Sequence, residues 1–134
     1  MRKNGGIINP QLSRAISETG HTDLIVLTDA GLPIPPAAER IDLAYRPGQP
    51  AFLDVLDTVL AELVVEGAVV SAEIAERSPE LLDALRDRFG PLNVELELLP
   101  HVAFKQLSTG ARAFVRSGEF TAYANVILRA GVAY

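Results

Sequence analysis

The sequence predicts an α/β fold: a single layered domain over residues 1–134, with a mainly parallel sheet flanked by helices. Three observations carry this. Helical and strand-like patterns alternate at short intervals along the whole chain. The run Leu24-Ile25-Val26-Leu27 is continuously apolar, as a strand buried on both faces requires. No linker, internal repeat or low-complexity tail divides the 134 residues.

The first element is a helix that starts at Asn9 as N-cap and Pro10 in the first helical position. Leu12, Ala15, Ile16 and Thr19 recur at helical spacing, and Gly20 suits the positive-φ position after the last turn. His21-Thr22-Asp23 connects to the Leu24–Leu27 strand, which ends in Thr28-Asp29-Ala30-Gly31. Leu32-Pro33-Ile34-Pro35-Pro36 follows, a loop stiffened by three prolines and short of three backbone donors. Residues 41–44 form a short strand, and Arg46-Pro47-Gly48-Gln49-Pro50 a turn.

Residues 51–65 read as the longest helix, with Phe52, Val55, Leu56, Val59, Leu60 and Leu63 in one apolar stripe. Gly67 opens a strand through Ala72. Ser78 caps a helix with Pro79 at its first position and Leu81, Leu82, Leu85 and Phe89 inside. Residues 93–99 alternate as a strand with one wetter face, and a short helix runs from about His101 to Ser108. Residues 113–116 and 125–128 supply two more strands. In parallel sheets ligands bind beyond the carboxyl ends of the strands. That rule puts Asp29, His101 and Ser117 near one edge.

Composition removes several classes of function. There is no cysteine, so disulfides, thiolate metal sites and cysteine nucleophiles are excluded. Two histidines cannot make a three-histidine metal site within one chain. The net charge is -5, from 17 acidic and 12 basic residues, and Arg112, Arg116 and Arg129 are scattered. That argues against a nucleic-acid or anionic-membrane partner. No apolar run approaches the length of a membrane span, and the basic start Met1-Arg2-Lys3 lacks the apolar stretch of a signal peptide. The expected compartment is the cytoplasm. Phosphate-cradling loops, dinucleotide fingerprints and nucleophile elbows are missing.

The chemistry then falls to a few polar residues. His21 lies between a helix end and a buried strand, where it serves either as a helix C-cap or as a general acid and base. Asp23 and Asp29 are candidates to orient its ring or to bind a hydroxyl. His101 and Lys105 are four apart and share a helix face: a solvated basic edge, or a donor–acceptor beside a fixed charge, suited to sugar hydroxyls. Tyr123 and Asn125, two apart at the start of the last strand, either form a polar pocket wall or simply close a strand edge.

Taken together, Gly20-His21-Thr22-Asp23, Asp29-Ala30-Gly31-Leu32-Pro33-Ile34-Pro35, Arg40-Ile41-Asp42, Ala72-Glu73-Ile74, Phe104-Lys105, Arg116-Ser117-Gly118-Glu119 and residues 123–128 with Ala130-Gly131-Val132 form an ordered set. In that order and spacing the chain resembles the D-ribose pyranase family, the ribose mutarotases, over nearly its full length. The resemblance implies an isomerase of ribose catabolism that interconverts the pyranose and furanose forms of D-ribose without cofactor or metal. It implies His21 as the acid–base residue, with Asp29, His101, Lys105, Tyr123 and Asn125 binding substrate. It also implies a homodecamer of two stacked five-membered rings, with pockets between neighbouring chains.

Phe120-Thr121-Ala122 departs from the family's usual small residue, Ser or Thr, then Pro. The sister fucose mutarotases share Gly-His-x-Asp and Tyr-x-Asn, but usually carry Asn-Phe-Pro where this chain has Gly31-Leu32-Pro33-Ile34-Pro35. That difference points to ribose. The alternatives are a mutarotase of L-fucose or another sugar, a non-catalytic sugar-binding module, and a purely structural oligomer component.

Overall fold

The computed structural model describes all 134 residues, Met1–Tyr134. In chain order the elements are α1 (Pro10–Glu18), β1 (Leu24–Thr28), β2 (Arg40–Asp42), α2 (Phe52–Leu60), β3 (Val65–Ser71), α3 (Ile74–Arg77), α4 (Pro79–Phe89), a 3-10 turn (Gly90–Leu92), β4 (Leu96–Leu99), α5 (His101–Ser108), β5 (Ala113–Arg116) and β6 (Val126–Ala130). The α/β alternation is as expected, but the sheet is mixed. Its order is β2-β5-β1-β6-β3-β4. The β2–β5, β5–β1 and β3–β4 pairs are parallel, whereas β6 runs antiparallel to both its neighbours, β1 and β3. The nine residues 117–125 that join β5 to β6 are fewer than the dozen or so a parallel crossover needs, so the chain turns back at the same end of the sheet.

The two faces of the sheet are covered unequally. On one face Ile25, Leu27, Val70, Val115, Val126 and Leu128 pack into a 22-residue core with Leu12 and Ala15 of α1, Phe52, Leu56 and Val59 of α2, and Leu82, Leu85 and Phe89 of α4. On the other, Val26, Phe114 and Ile127 form a five-residue cluster with Phe104 of α5 and Leu32 of the proline-stiffened loop, edged by half-buried residues that include Ile34 and Ala38. The alternation of side chains along each strand separates the two sets. Burial of β1 from Ile25 to Thr28 answers its apolar run. Arg88 of α4 grips Asp57 of α2 with two hydrogen bonds of 2.6 and 3.0 Å, and this carboxylate raises the guanidinium pKa above its ordinary value.

Several local expectations change. Asn9 does cap α1, its Oδ1 accepting from the Leu12 N–H at 2.9 Å. The positive φ beyond that helix, however, belongs to Thr22 (70°) and not to Gly20. α2 stops at Leu60, so α4 with 11 residues is the longest helix. The stripe past Leu60 is still used, because Leu63 packs on the core from the turn. β3 begins at Val65, before Gly67, with an irregular register between those two residues. Ser78 holds the N-cap position of α4, but its hydroxyl donates to the Ala122 carbonyl at 2.7 Å instead of capping.

At Gly118 two loops touch. Its N–H donates to the Pro50 carbonyl (2.9 Å), its carbonyl accepts from the Gly48 N–H (2.7 Å), and a Cβ there would collide with the Gln49 backbone. Gly118→Ala is therefore expected to destabilise the protein by about 1–3 kcal/mol, as overpacking against an unyielding backbone does. Urea denaturation measures it, and an unchanged midpoint would contradict the close approach.

Candidate active site

Because β6 is reversed, its first residues arrive where β1, β3, β4 and β5 end. Polar termini from separate parts of the chain converge there on an open cleft of about 560 Å³, whose lining includes Asp29, Arg77, His101, Glu119, Tyr123 and Asn125.

Asp29 and Asn125 form the base. Asn125 Oδ1 accepts from the Asp29 N–H (2.9 Å), and Asn125 Nδ2 donates to Asp29 Oδ2 (3.0 Å). Asp29 Oδ1 also accepts from the N–H groups of Gly31 and Leu32 at 2.9 and 2.8 Å, which folds the start of the proline-stiffened loop back over the strand end. Asn125 is 1% exposed, so its amide serves this one carboxylate and backbone. The strand β6 begins only after it, at Val126. Tyr123 and Asn125 thus reach the same cleft through a turn and not through strand alternation. Tyr123 sits at φ 62°, a left-handed conformation that a non-glycine residue occupies only when its surroundings impose it. Three contacts do so. Ser78 holds the Ala122 carbonyl, Asn125 N–H donates to the Tyr123 carbonyl at 2.8 Å, and Glu119 Oε2 accepts from the Thr121 N–H and hydroxyl. Glu119 Oε1 in turn accepts from the Phe52 N–H at the start of α2. The unusual Phe120 stands exposed on the cleft rim.

His101 opens α5. Its N–H donates to the Glu73 carboxylate (2.9 and 3.2 Å), and its Nδ1 lies 2.7 Å from Ser71 Oγ. The ring stacks on Phe104 and takes an edge contact from Tyr123, with centroids 6.0 and 5.2 Å away. The structure therefore brings together Asp29, His101, Tyr123 and Asn125.

It does not bring Lys105 or His21 to that cleft. Lys105 is exposed one turn further along α5 and is not part of the lining. His21 precedes β1 while Asp29 follows it, and five strand residues span about 16 Å. At that far edge His21 Nε2 lies 2.9 Å from Glu66 Oε2, and Arg129 also faces Glu66. Neither aspartate orients the His21 ring: Asp29 is at the other end, and Asp23 accepts from the Gly20 N–H and from Arg112 Nε. Of the cleft residues, Arg77 and Glu119 carried no periodic signal in the sequence. Ser71 was legible only as part of the strand that Gly67 opens, and Glu73 only within the stretch Ala72-Glu73-Ile74. Ser117 is buried and structural, its hydroxyl donating to the Thr28 carbonyl.

Two expectations follow. Asn125→Ala strips Asp29 of two hydrogen bonds and should cost about 1–3 kcal/mol of stability by urea denaturation. At the far edge, the Gly20 amide first and then Arg112 hold the Asp23 carboxyl below its ordinary 3.8. The stability this gives is present above pH 3.8 and is lost as pH falls through the lower folded value. Wild type and Asp23→Asn should therefore differ at neutral pH and converge in acid. A gap independent of pH would refute that linkage.

With this geometry in place, comparison with known proteins is informative. The chain is 53% identical over 134 residues to a D-ribose pyranase of Laribacter hongkongensis, covering 100% of both chains. It is 50% identical over 132 residues to that of Symbiobacterium thermophilum, covering 98% of this chain and 99% of the relative. Its fold matches Bacillus subtilis RbsD complexed with D-ribose at a TM-score of 0.94 and 43% identity, over 99% of this chain and 100% of the other. A fucose mutarotase from Streptococcus pneumoniae, in complex with L-fucose, matches at a TM-score of 0.80 and 26% identity, over 95% of each chain. Residues 1–133 match the RbsD / FucU transport protein family, and the chain belongs to that family.

Proposed function

We propose that this chain is a D-ribose pyranase, an isomerase that opens the six-membered ring of D-ribose and closes the five-membered one. The observation that carries the reading is the cleft at the strand ends, where Asp29, His101, Tyr123 and Asn125 meet in a chain that matches D-ribose pyranases from end to end.

The reaction is a sequence of proton transfers. A base removes the proton of the anomeric hydroxyl, the bond from the anomeric carbon to the ring oxygen breaks, and an acid delivers a proton to that oxygen. The free aldehyde rotates. The 4-hydroxyl then adds to the carbonyl carbon, losing its proton as the carbonyl oxygen gains one. Atoms and electrons balance without a redox partner. A carboxylate fixed as acceptor and an imidazole that gives or takes a proton suit hydroxyls that do both. Gly31, Leu32 and Pro33 also line the cleft, so the loop in which this chain departs from the fucose mutarotases is where substrate choice is made.

His21 is the proposed acid–base residue. Its place beyond the opposite end of β1 favours a site completed by His21 of a second copy. That accords with the decameric, two-ring assembly the resemblance implies. No helix is long and apolar enough to cross a membrane, and we assign the enzyme to the cytoplasm, beside ribose uptake and phosphorylation.

Saturation-transfer NMR on D-ribose and L-fucose tests the activity. Exchange between ribose pyranose and furanose should accelerate, with little effect on fucose. The reverse would make the chain a fucose mutarotase, and binding without acceleration a sugar-binding module. His21→Gln should remain folded and lose about 10²-fold or more in exchange rate. Light scattering should give about ten chain masses. Co-expression of His21→Gln with His101→Gln should rebuild roughly a quarter of the sites by random assortment of copies. No recovery in a mixed oligomer would mean that both histidines of a site come from one chain.

A further inference from the structure

We infer that Ser71 is a positioning residue that fixes the tautomer of His101, leaving its Nε2–H as the hydrogen-bond donor that meets the sugar. The inference rests on the functional reading above for the sugar, but not for the tautomer.

Ser71 is the last residue of β3 and is fully buried. Its Oγ lies 2.7 Å from His101 Nδ1, the one side-chain partner the fold gives it. A buried hydroxyl whose hydrogen finds no acceptor is costly, so that hydrogen points at Nδ1. Nδ1 must then be bare. A neutral imidazole carries one N–H, which is therefore on Nε2. The opposite tautomer would turn Nδ1–H toward Ser71 and leave the serine hydrogen with nothing to bond.

The ring is also prevented from turning over. Glu73 fixes the backbone of His101 through its N–H, Phe104 stacks on one ring face, and Tyr123 presses edge-on. A flip would set a ring carbon against Ser71 Oγ and forfeit the bond. With Nδ1 engaged inside the fold, Nε2 is the nitrogen left for a ligand in the cleft that His101 lines. Asp29 in the same cleft already accepts from three N–H groups and acts as an acceptor. A sugar thus meets a fixed donor and a fixed acceptor. Ser71, which lies behind the histidine, sets the sign of one of them.

The chain has only two histidines, so the His21→Gln protein carries one imidazole and its ring-nitrogen resonances need no further assignment. Two-bond 1H–15N correlation spectra of that sugar-free protein should show His101 protonated at Nε2 and bare at Nδ1. Ser71→Ala in that background should mix the tautomers, and Ser71→Thr should restore the single form. In the otherwise wild-type enzyme, Ser71→Ala should raise KM for D-ribose about tenfold, with a smaller fall in kcat, and Ser71→Thr should recover KM. An Nδ1–H tautomer in the parent protein overturns the inference. So does a Ser71→Ala protein, folded by circular dichroism, whose imidazole spectrum matches its parent. Should Ser71→Ala not fold, Ser71→Cys keeps the volume with a weaker donor, and unaltered ring resonances there overturn it equally. If the wild-type enzyme leaves every ribose signal unaccelerated, the pyranase reading falls, and the imidazole spectra still decide the role of Ser71.

Discussion

Everything in this molecule depends on one reversed strand. Without β6 the sheet would be two parallel fragments, β2-β5-β1 and β3-β4, each with an open inner edge. β6 pairs with both edges at once, Val26↔Ile127 on one side and Val69↔Ile127 on the other, and so makes a single six-stranded sheet. It also sets polarity. All the other strands run one way, so only a reversed strand can bring its beginning to the place where they end. The Asp29–Asn125 pair bridges residues 96 apart in sequence because of that reversal. A parallel β6 would have carried Asn125 to the His21 edge.

The elements readable in the sequence are those whose ends are chemically marked. α1 begins where Asn9 and Pro10 say it does, and α5 and β5 occupy their expected residues. Where the marks were absent the reading overran: nothing at Leu60 to Val64 announces a helix end, because the apolar stripe continues into the turn. α3 has four residues, too few for any periodic signal. Ser78 shows the opposite limit. A capping residue type was present in a capping position, but the carbonyl it bonds lies 44 residues away, and no local rule contains that contact.

The site follows the same division. The rule that ligands collect at strand carboxyl ends placed Asp29 and His101 together correctly. Tyr123 and Asn125 belong there only once β6 is known to be reversed. The clue was the length of residues 117–125, too short to return the chain to the other end of the sheet. His21 and Lys105 stood out by local position and by resemblance alike, and a single chain leaves both outside the cleft. No sequence signal assigned Glu119 or Ser71 a role, because their significance is wholly in their partners: a loop in one case, an imidazole nitrogen in the other.

The central strand is also the last one made. During synthesis the first five strands leave the ribosome before β6 exists, and the inner edges of β1 and β3 stay unpaired until β6 follows them. Those edges are among the most apolar stretches of the protein, with Ile25 to Leu27 on one and Val69 and Val70 on the other. Unpaired apolar edges are the surfaces on which nascent chains join one another. The topology therefore makes the arrival of β6 the step that decides folding. Shortening the chain by its final ten residues would remove the piece that joins its two halves, together with the only strand able to shield them.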